Sequence, residues 1–186
     1  VGHSWGGHLA LHVARSLAHR VTAVLSVDPL GAVGDGGEQA MEDEFNRRVP
    51  ADVQAKAREL DERAMAGEGT EADAMAGFRM VWPGYFADWD AAPPCPDDTR
   101  IAIPAYSQMW ESIHAEIAGL EAALPSIAVP VGFVVGLQSP IPPQVSHATA
   151  ARIPGAWVDE VDGAGHMIWM EQAGQVKASL DKLVAG

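Results

Sequence analysis

The sequence predicts an α/β architecture with an inserted helical segment, and three observations carry that prediction. Short β-branched apolar runs bounded by turn residues read as buried parallel strands. Stretches of helical periodicity alternate with them, as expected of a parallel sheet covered by helices. Gly2-His3-Ser4-Trp5-Gly6 has the form G-x-S-x-G, which makes a sharp strand-to-helix turn. Three parallel strands are expected.

Taken in order, residues 8–17 read as a helix, with Leu9, Ala10, Val13, Ala14 and Leu17 spaced to bury one face. VTAVLSVD (Val21–Asp28) reads as a buried strand ended by Pro29. GAVGDGG (Gly31–Gly37) is a flexible connection and marks a change of composition. Residues 38–125 are then rich in Ala, Glu and Arg with helical periodicity, and only Ile101–Ile103 suggests a short strand. Strand character returns at IAVPVGFVVG (Ile127–Gly136), followed by a helix at QVSHATAARI, a strand at AWVDEVDG and a closing helix at EQAGQVKASLDKLVA. The expected organisation is a core of residues 1–37 and 126–186 with an insertion at 38–125.

Bulk properties narrow the function. At 186 residues with 48% hydrophobic and 20% charged content, the chain has material for one core. A formal charge of -13 argues against nucleic-acid and anionic-membrane partners. The single cysteine, Cys95, excludes an internal disulfide and a paired-cysteine metal site. No apolar run is long enough to span a bilayer and no leader is visible, so a cytoplasmic location is expected.

The opening turn suggests chemistry. A serine hydroxyl is a weak nucleophile that needs a base and an exposed position. Gly2 and Gly6 are expected to permit the close backbone approach of a tight turn, which forces Ser4 into unfavourable dihedrals. The helix that follows directs its positive end and the Trp5 N–H towards a developing oxyanion. His166 lies in the glycine-rich stretch Gly163–His166 after the expected strand, where catalytic groups of parallel sheets gather.

These features resemble the α/β-hydrolase superfamily along the whole chain. GHSWGG is similar to its nucleophile elbow, VLSVDPLG to the strand and loop after the elbow helix, residues 38–125 to its helical cap, and GAGHMIWMEQAG to its histidine loop. The resemblance implies a partial α/β-hydrolase fold, Ser4 as nucleophile and His166 as base, with no metal or organic cofactor. It departs from the family where an Asp is usual: the stretch Gly136–Pro143 carries Ser139 there. Asp28, after the strand that follows the elbow helix, is the favoured replacement, with Asp159 and Asp162 as fallbacks. Its role would be to fix the imidazole tautomer and balance the imidazolium.

His3, Trp82, Met167 and Trp169 are candidate substrate-binding residues, and the apolar content of the insertion points to a small apolar substrate. His8 and His12, four apart on one helix, lack a third ligand and read as structural. His19, His114 and His147 read as surface residues. The expected activity is hydrolysis of an ester or related acyl bond; a serine nucleophile disfavours the aspartate-dependent branches, while carbon–carbon hydrolysis and cofactor-free haloperoxidase chemistry suit the same residues. The alternatives are a non-catalytic ligand-binding protein, to which Ser139 lends weight, or an inactive fragment. Because family members place several strands before the elbow, the chain reads as the C-terminal part of a larger hydrolase. The strand Val21–Val27 would then be an open apolar edge, inviting a homodimer.

Overall fold

A computed structural model describes residues 1–185, including the side chains of all but residues 65, 103, 104, 106 and 107. Its centre is a parallel sheet of four strands among the described residues: β1 (Gly2–His3), β2 (Val24–Val27), β3 (Val131–Gly136) and β4 (Trp157–Val161), in that spatial order. The strand beyond the three expected is β1, too short for periodicity to register. It pairs Gly2 with Ser26 and His3 with Val27. The open edge expected at Val21–Val27 is therefore only partly covered: among the described residues β1 pairs Ser26 and Val27 and leaves Val24 and Leu25 without a strand partner on that side.

Both sheet faces are covered, which explains why every residue of β2 and β3 is buried. On one face Val24, Val131 and Phe133 pack with Leu11 and Ala14 of α1 (Trp5–Ser16), Leu120 of α5 (Ile103–Ala123), and Ala150 of α6 (Pro143–Ala150). On the other, Leu25, Val27 and Val134 pack with Ile168 of α7 (Ile168–Glu171) and Leu183 of α8 (Gln175–Ala185). Alternate residues of each strand thus feed opposite cores.

The expected insertion, residues 38–125, contains α2 (Glu38–Arg48), α3 (Ala51–Met65), α4 (Glu71–Val81) and all of α5, with a 3-10 turn at Trp82–Tyr85 and another, Leu124–Ser126, at its end. Ile101–Ile103 forms no strand: Ile103 instead opens α5, with Pro104 in the first turn where its missing N–H costs nothing. Leu30, Ile113, Ile117 and Ile141 form a third core joining the insertion to the sheet layers.

The expected buried face of α1 holds only in part. Ala14 is buried and Ala10 half-buried, but Leu9, Val13 and Leu17 stand 40%, 37% and 42% exposed, and Gly7, His8 and Leu11 are buried instead. Helical spacing allows either stripe, and the elbow decides between them. The turn presses Gly7 against Pro29 and Ser26, and it places the His8 Nδ1 2.8 Å from the Gly31 carbonyl.

Candidate active site

The four strands run the same way, so all their C-terminal ends lie at one edge of the sheet. Ser4 follows β1, Asp28 follows β2, Ser139 lies three residues past β3, and His166 lies in the loop after β4. The Ser4 N–H donates to the Val27 carbonyl at 2.9 Å, and the Asp28 N–H to that of Val134 at 2.7 Å, so both are fixed to the next strand.

Ser4 has φ 54° and ψ -127°, the left-handed side that a residue with a Cβ rarely adopts. Such strain costs on the order of 1–3 kcal/mol and persists only where surrounding structure imposes it. A Cβ on Gly2 would lie 2.0 Å from the Gly6 carbonyl oxygen, and one on Gly7 2.7 Å from the Pro29 side chain. Gly6, expected to be the second indispensable glycine, would meet nothing within 4 Å; Gly7 takes that place. Gly6→Ala is accordingly expected to keep the fold and to raise stability by about 0.5–1 kcal/mol through helix propensity, read from urea midpoints.

Asp28 is 1% exposed, and its backbone is the second positive-φ position that is not glycine, at 43°. A buried carboxylate must be paired or hydrogen-bonded, and this one is. Its Oδ1 accepts the Gly136 N–H at 3.0 Å. Its Oδ2 accepts the Ser139 hydroxyl and lies 2.5 Å from His166 Nδ1. The residue standing where the acid is usual is therefore a donor to the acid that came from β2. The Ser139 oxygen in turn accepts the Ile141 N–H at 3.0 Å.

His166 is 4% exposed and held at three points. Its ring meets Asp28, its N–H donates to the Tyr85 carbonyl at 2.7 Å, and its carbonyl accepts from His3 Nε2 at 3.0 Å. In the neutral tautomer whose Nδ1–H donates to the carboxylate, the ring's acceptor lone pair sits on Nε2. Gly165 lets the Tyr85–Phe86 segment come this close, since a Cβ there would sit 2.4 Å from the Tyr85 oxygen. Glu171 ties the same two segments together, accepting from Gly165 N–H at 2.6 Å and Ala87 N–H at 2.8 Å. The acidic position after the histidine was legible as a motif; its task as a strut was not.

The remaining sequence candidates fall in different places. His3 is wedged between the rings of His166 and Trp169, with centroids at 4.4 and 4.6 Å. Trp169 is 46% exposed, and Met167 is half-buried before α7. Trp5 opens α1, whose first N–H groups have no carbonyl one turn back to bond. Trp82 lies in the insertion's interior, its Nε1 donating to Pro93 at 2.8 Å. Asp159 pairs with Lys182 and Ser179, and Asp162 with Gln138, so neither contacts His166 through these bonds. His8 and His12 bond each other at 3.2 Å, while His114 and His147 pair with Glu38 and Glu160 at the surface.

A cavity of about 390 Å³ lies between α2, α3 and α4, with Phe45, Ala57, Phe78 and Val81 on its wall. Tyr85 belongs to that wall too, and its ring lies 5.5 Å from that of His166. Asn46, Gln54, Arg58 and Asp61 also line this cavity, and neither it nor a broader, polar cleft of about 500 Å³ along β4 includes Ser4, Asp28 or His166.

Burial, with His166 beside it, pushes the His3 imidazole down to about 3, and burial lowers His8 and His12 as well. A histidine depressed in the folded state binds its proton more readily when unfolded. Its stabilisation is full above the unfolded value near 6.5 and drains as pH falls below it, at up to about 1.4 kcal/mol per pH unit per group. Urea midpoints should therefore drop between pH 7 and pH 5, and His3→Gln should flatten that drop. An unchanged pH slope in the variant would contradict the assignment.

Comparison with known proteins agrees with this architecture. A family model described as "Alpha/beta hydrolase family" matches residues 1–178. Pimeloyl-[acyl-carrier protein] methyl ester esterase of Xanthomonas campestris pv. campestris is 28% identical over 189 residues, covering all of this chain and 70% of the esterase. Among solved structures, VinJ superposes with a TM-score of 0.65 at 16% identity, over 99% of this chain and 64% of its own. The 2-hydroxy-6-oxo-6-phenylhexa-2,4-dienoate hydrolase of Rhodococcus sp. strain RHA1 does so at 0.62 and 19% identity, over 100% of this chain and 63% of its own. The chain thus spans just under two thirds of those two structures. A strand–elbow–helix opening, a parallel sheet with its polar cluster at one edge, and a family match across nearly the whole length place this chain in the α/β-hydrolase family.

Proposed function

We propose that the chain carries the catalytic residues of a serine hydrolase that cleaves an ester or related acyl bond of a small apolar substrate. The observation that carries this reading is the 2.5 Å contact between His166 Nδ1 and buried Asp28, on the sheet edge that also bears the strained Ser4. In the proposed reaction the Ser4 oxygen attacks the acyl carbon as its proton passes to His166 Nε2. The Trp5 N–H bonds the oxyanion, and Asp28 balances the imidazolium. Collapse of the tetrahedral intermediate breaks the bond to the alcohol, which leaves with the proton from His166. Water then repeats the sequence on the acyl-enzyme, releasing the acid and free Ser4.

The similarity to an esterase supports the bond type, and the aromatic-walled cavity beside Tyr85 supports an apolar acyl part. With p-nitrophenyl esters of increasing acyl length, a nitrophenol burst stoichiometric with enzyme is expected, its rate constant rising with chain length, and the burst is lost in Ser4→Ala. Hydrolysis surviving in Ser4→Ala would sink the reading. The non-catalytic alternative drew on Ser139 standing in the acid's usual place, and that serine is accounted for by its bond to Asp28.

We also propose that full rate requires further polypeptide against β1. That edge is two residues long, and beside it Trp5, Leu9, Val13 and Leu17 form an exposed apolar stripe, spaced four apart on and just past α1. One oxyanion donor alone leaves about 10²–10³ in rate unrealised. Expression with any residues encoded ahead of Val1 is expected to recover a gain of that order.

A further inference from the structure

Arg48, the last residue of α2, is a cation the proposed chemistry does not use, and its side chain is only 18% exposed. The bland role for such a residue is an i,i+4 ion pair, and its Nε does meet Glu44 at 2.7 Å. The rest of the guanidinium goes elsewhere. Nη1 donates to the Gln138 carbonyl and reaches that of Phe86 at 3.5 Å, while Nη2 donates to the Ser139 carbonyl at 3.2 Å. Three backbone carbonyls from two segments remote in sequence converge on one planar group.

Each of those carbonyls belongs to a segment that holds the Asp28–His166 pair. Ser139 donates its hydroxyl to Asp28. Gln138 grips the histidine loop three times: its N–H donates to the Ala164 carbonyl at 2.9 Å, its Oε1 accepts the Gly163 N–H at 2.7 Å, and its Nε2 donates to Asp162 at 3.1 Å. Phe86 follows Tyr85, whose carbonyl takes the His166 N–H. Arg48 is thus the point at which a helix of the insertion fastens the loop behind the acid and the strap behind the histidine into one frame. A planar guanidinium suits this task, because its donors diverge in a fixed fork that an ammonium cannot copy.

We propose that Arg48 is a positioning residue: seated by Glu44, it aligns Asp28 with His166 through the carbonyls of residues 86, 138 and 139, so that the seating of the insertion sets the geometry of the pair. The proposal rests on the serine-hydrolase reading for its kinetic consequence but not for its structural one. The test follows the downfield proton resonance of the His166 Nδ1–H, assigned by its loss in Asp28→Ala, together with the rate of fluorophosphonate labelling and a thermal melt. In Arg48→Met the resonance should shift or broaden and labelling should slow by roughly tenfold to a hundredfold, the scale of a misalignment near 1 Å. Arg47→Met serves as control: Arg47 pairs with the same Glu44 but is 72% exposed, so both readouts should stay as in the wild type. A folded Arg48→Met with an unmoved resonance and labelling within twofold overturns the proposal, as does an equal effect from Arg47→Met. If Arg48→Met does not fold, Arg48→Lys is judged on the same resonance, with movement supporting and constancy refuting. A resonance that moves in a protein whose wild type is never labelled upholds the positioning role and removes the hydrolase reading instead.

Discussion

Asp28→Asn is expected to lower turnover by about 10⁴-fold while leaving the chain folded. The carboxylate has three donors around it: Gly136 N–H, the Ser139 hydroxyl and His166 Nδ1–H. An amide fits the same volume and keeps an oxygen for Gly136, but its NH₂ group then faces the histidine. The ring answers by moving its proton to Nε2, the nitrogen that in the proposed reaction accepts the serine proton. Ser139 can turn to accept from the amide because a hydroxyl both donates and accepts, at a cost of about 1–3 kcal/mol for its own buried O–H. The loss should therefore fall on the rate constant for acylation, with substrate binding nearly unchanged and the chain still folded. A variant with more than a tenth of wild-type turnover would show that another group balances the imidazolium.

The second large effect concerns the turn itself. Gly2→Ala is expected to destabilise the chain by about 3 kcal/mol or more, because the new methyl group would meet backbone that cannot move aside. The nearest atoms are the carbonyl oxygen and carbon of Gly6 and the amide nitrogen of Gly7, at 2.0, 2.3 and 2.7 Å. All three belong to the first turn of α1, whose position is fixed by Gly7 against Pro29 and by His8 against Gly31. Against a total stability of about 5–15 kcal/mol, a loss of this size would leave a substantial unfolded fraction. Urea denaturation of Gly2→Ala beside Gly6→Ala checks it directly, since the two substitutions add the same methyl group to neighbouring positions of one turn. Equal midpoints would refute the account of the elbow.

The sheet was legible wherever strands are buried on both faces. β2 and β3 are short, valine-rich runs, and their boundaries fall within four residues of the expected ones. β1 escaped because two residues carry no period. The face of α1 was misjudged at Leu9, Val13 and Leu17 because spacing alone cannot choose between two apolar stripes, and the choice is made by contacts with Pro29 and Gly31, which are remote in sequence. At the sheet edge, Ser4, Asp28 and His166 stood out because each follows a strand or sits among glycines. What surrounds them was hidden for a physical reason. Backbone carbonyls of Tyr85, Phe86 and Gln138 accept hydrogen bonds whatever their side chains are, so no residue type announces them. Ser139 was read by what it lacks, a charge, when its contribution is the proton it donates.

The central claim, that the Ser4 hydroxyl is activated by an imidazole arriving from the far end of the chain, is tested most directly by a fluorophosphonate probe followed by peptide mapping. A single adduct on Ser4 is predicted, absent in Ser4→Ala and in His166→Ala. A folded protein that takes no label, or labels equally well without His166, would contradict it.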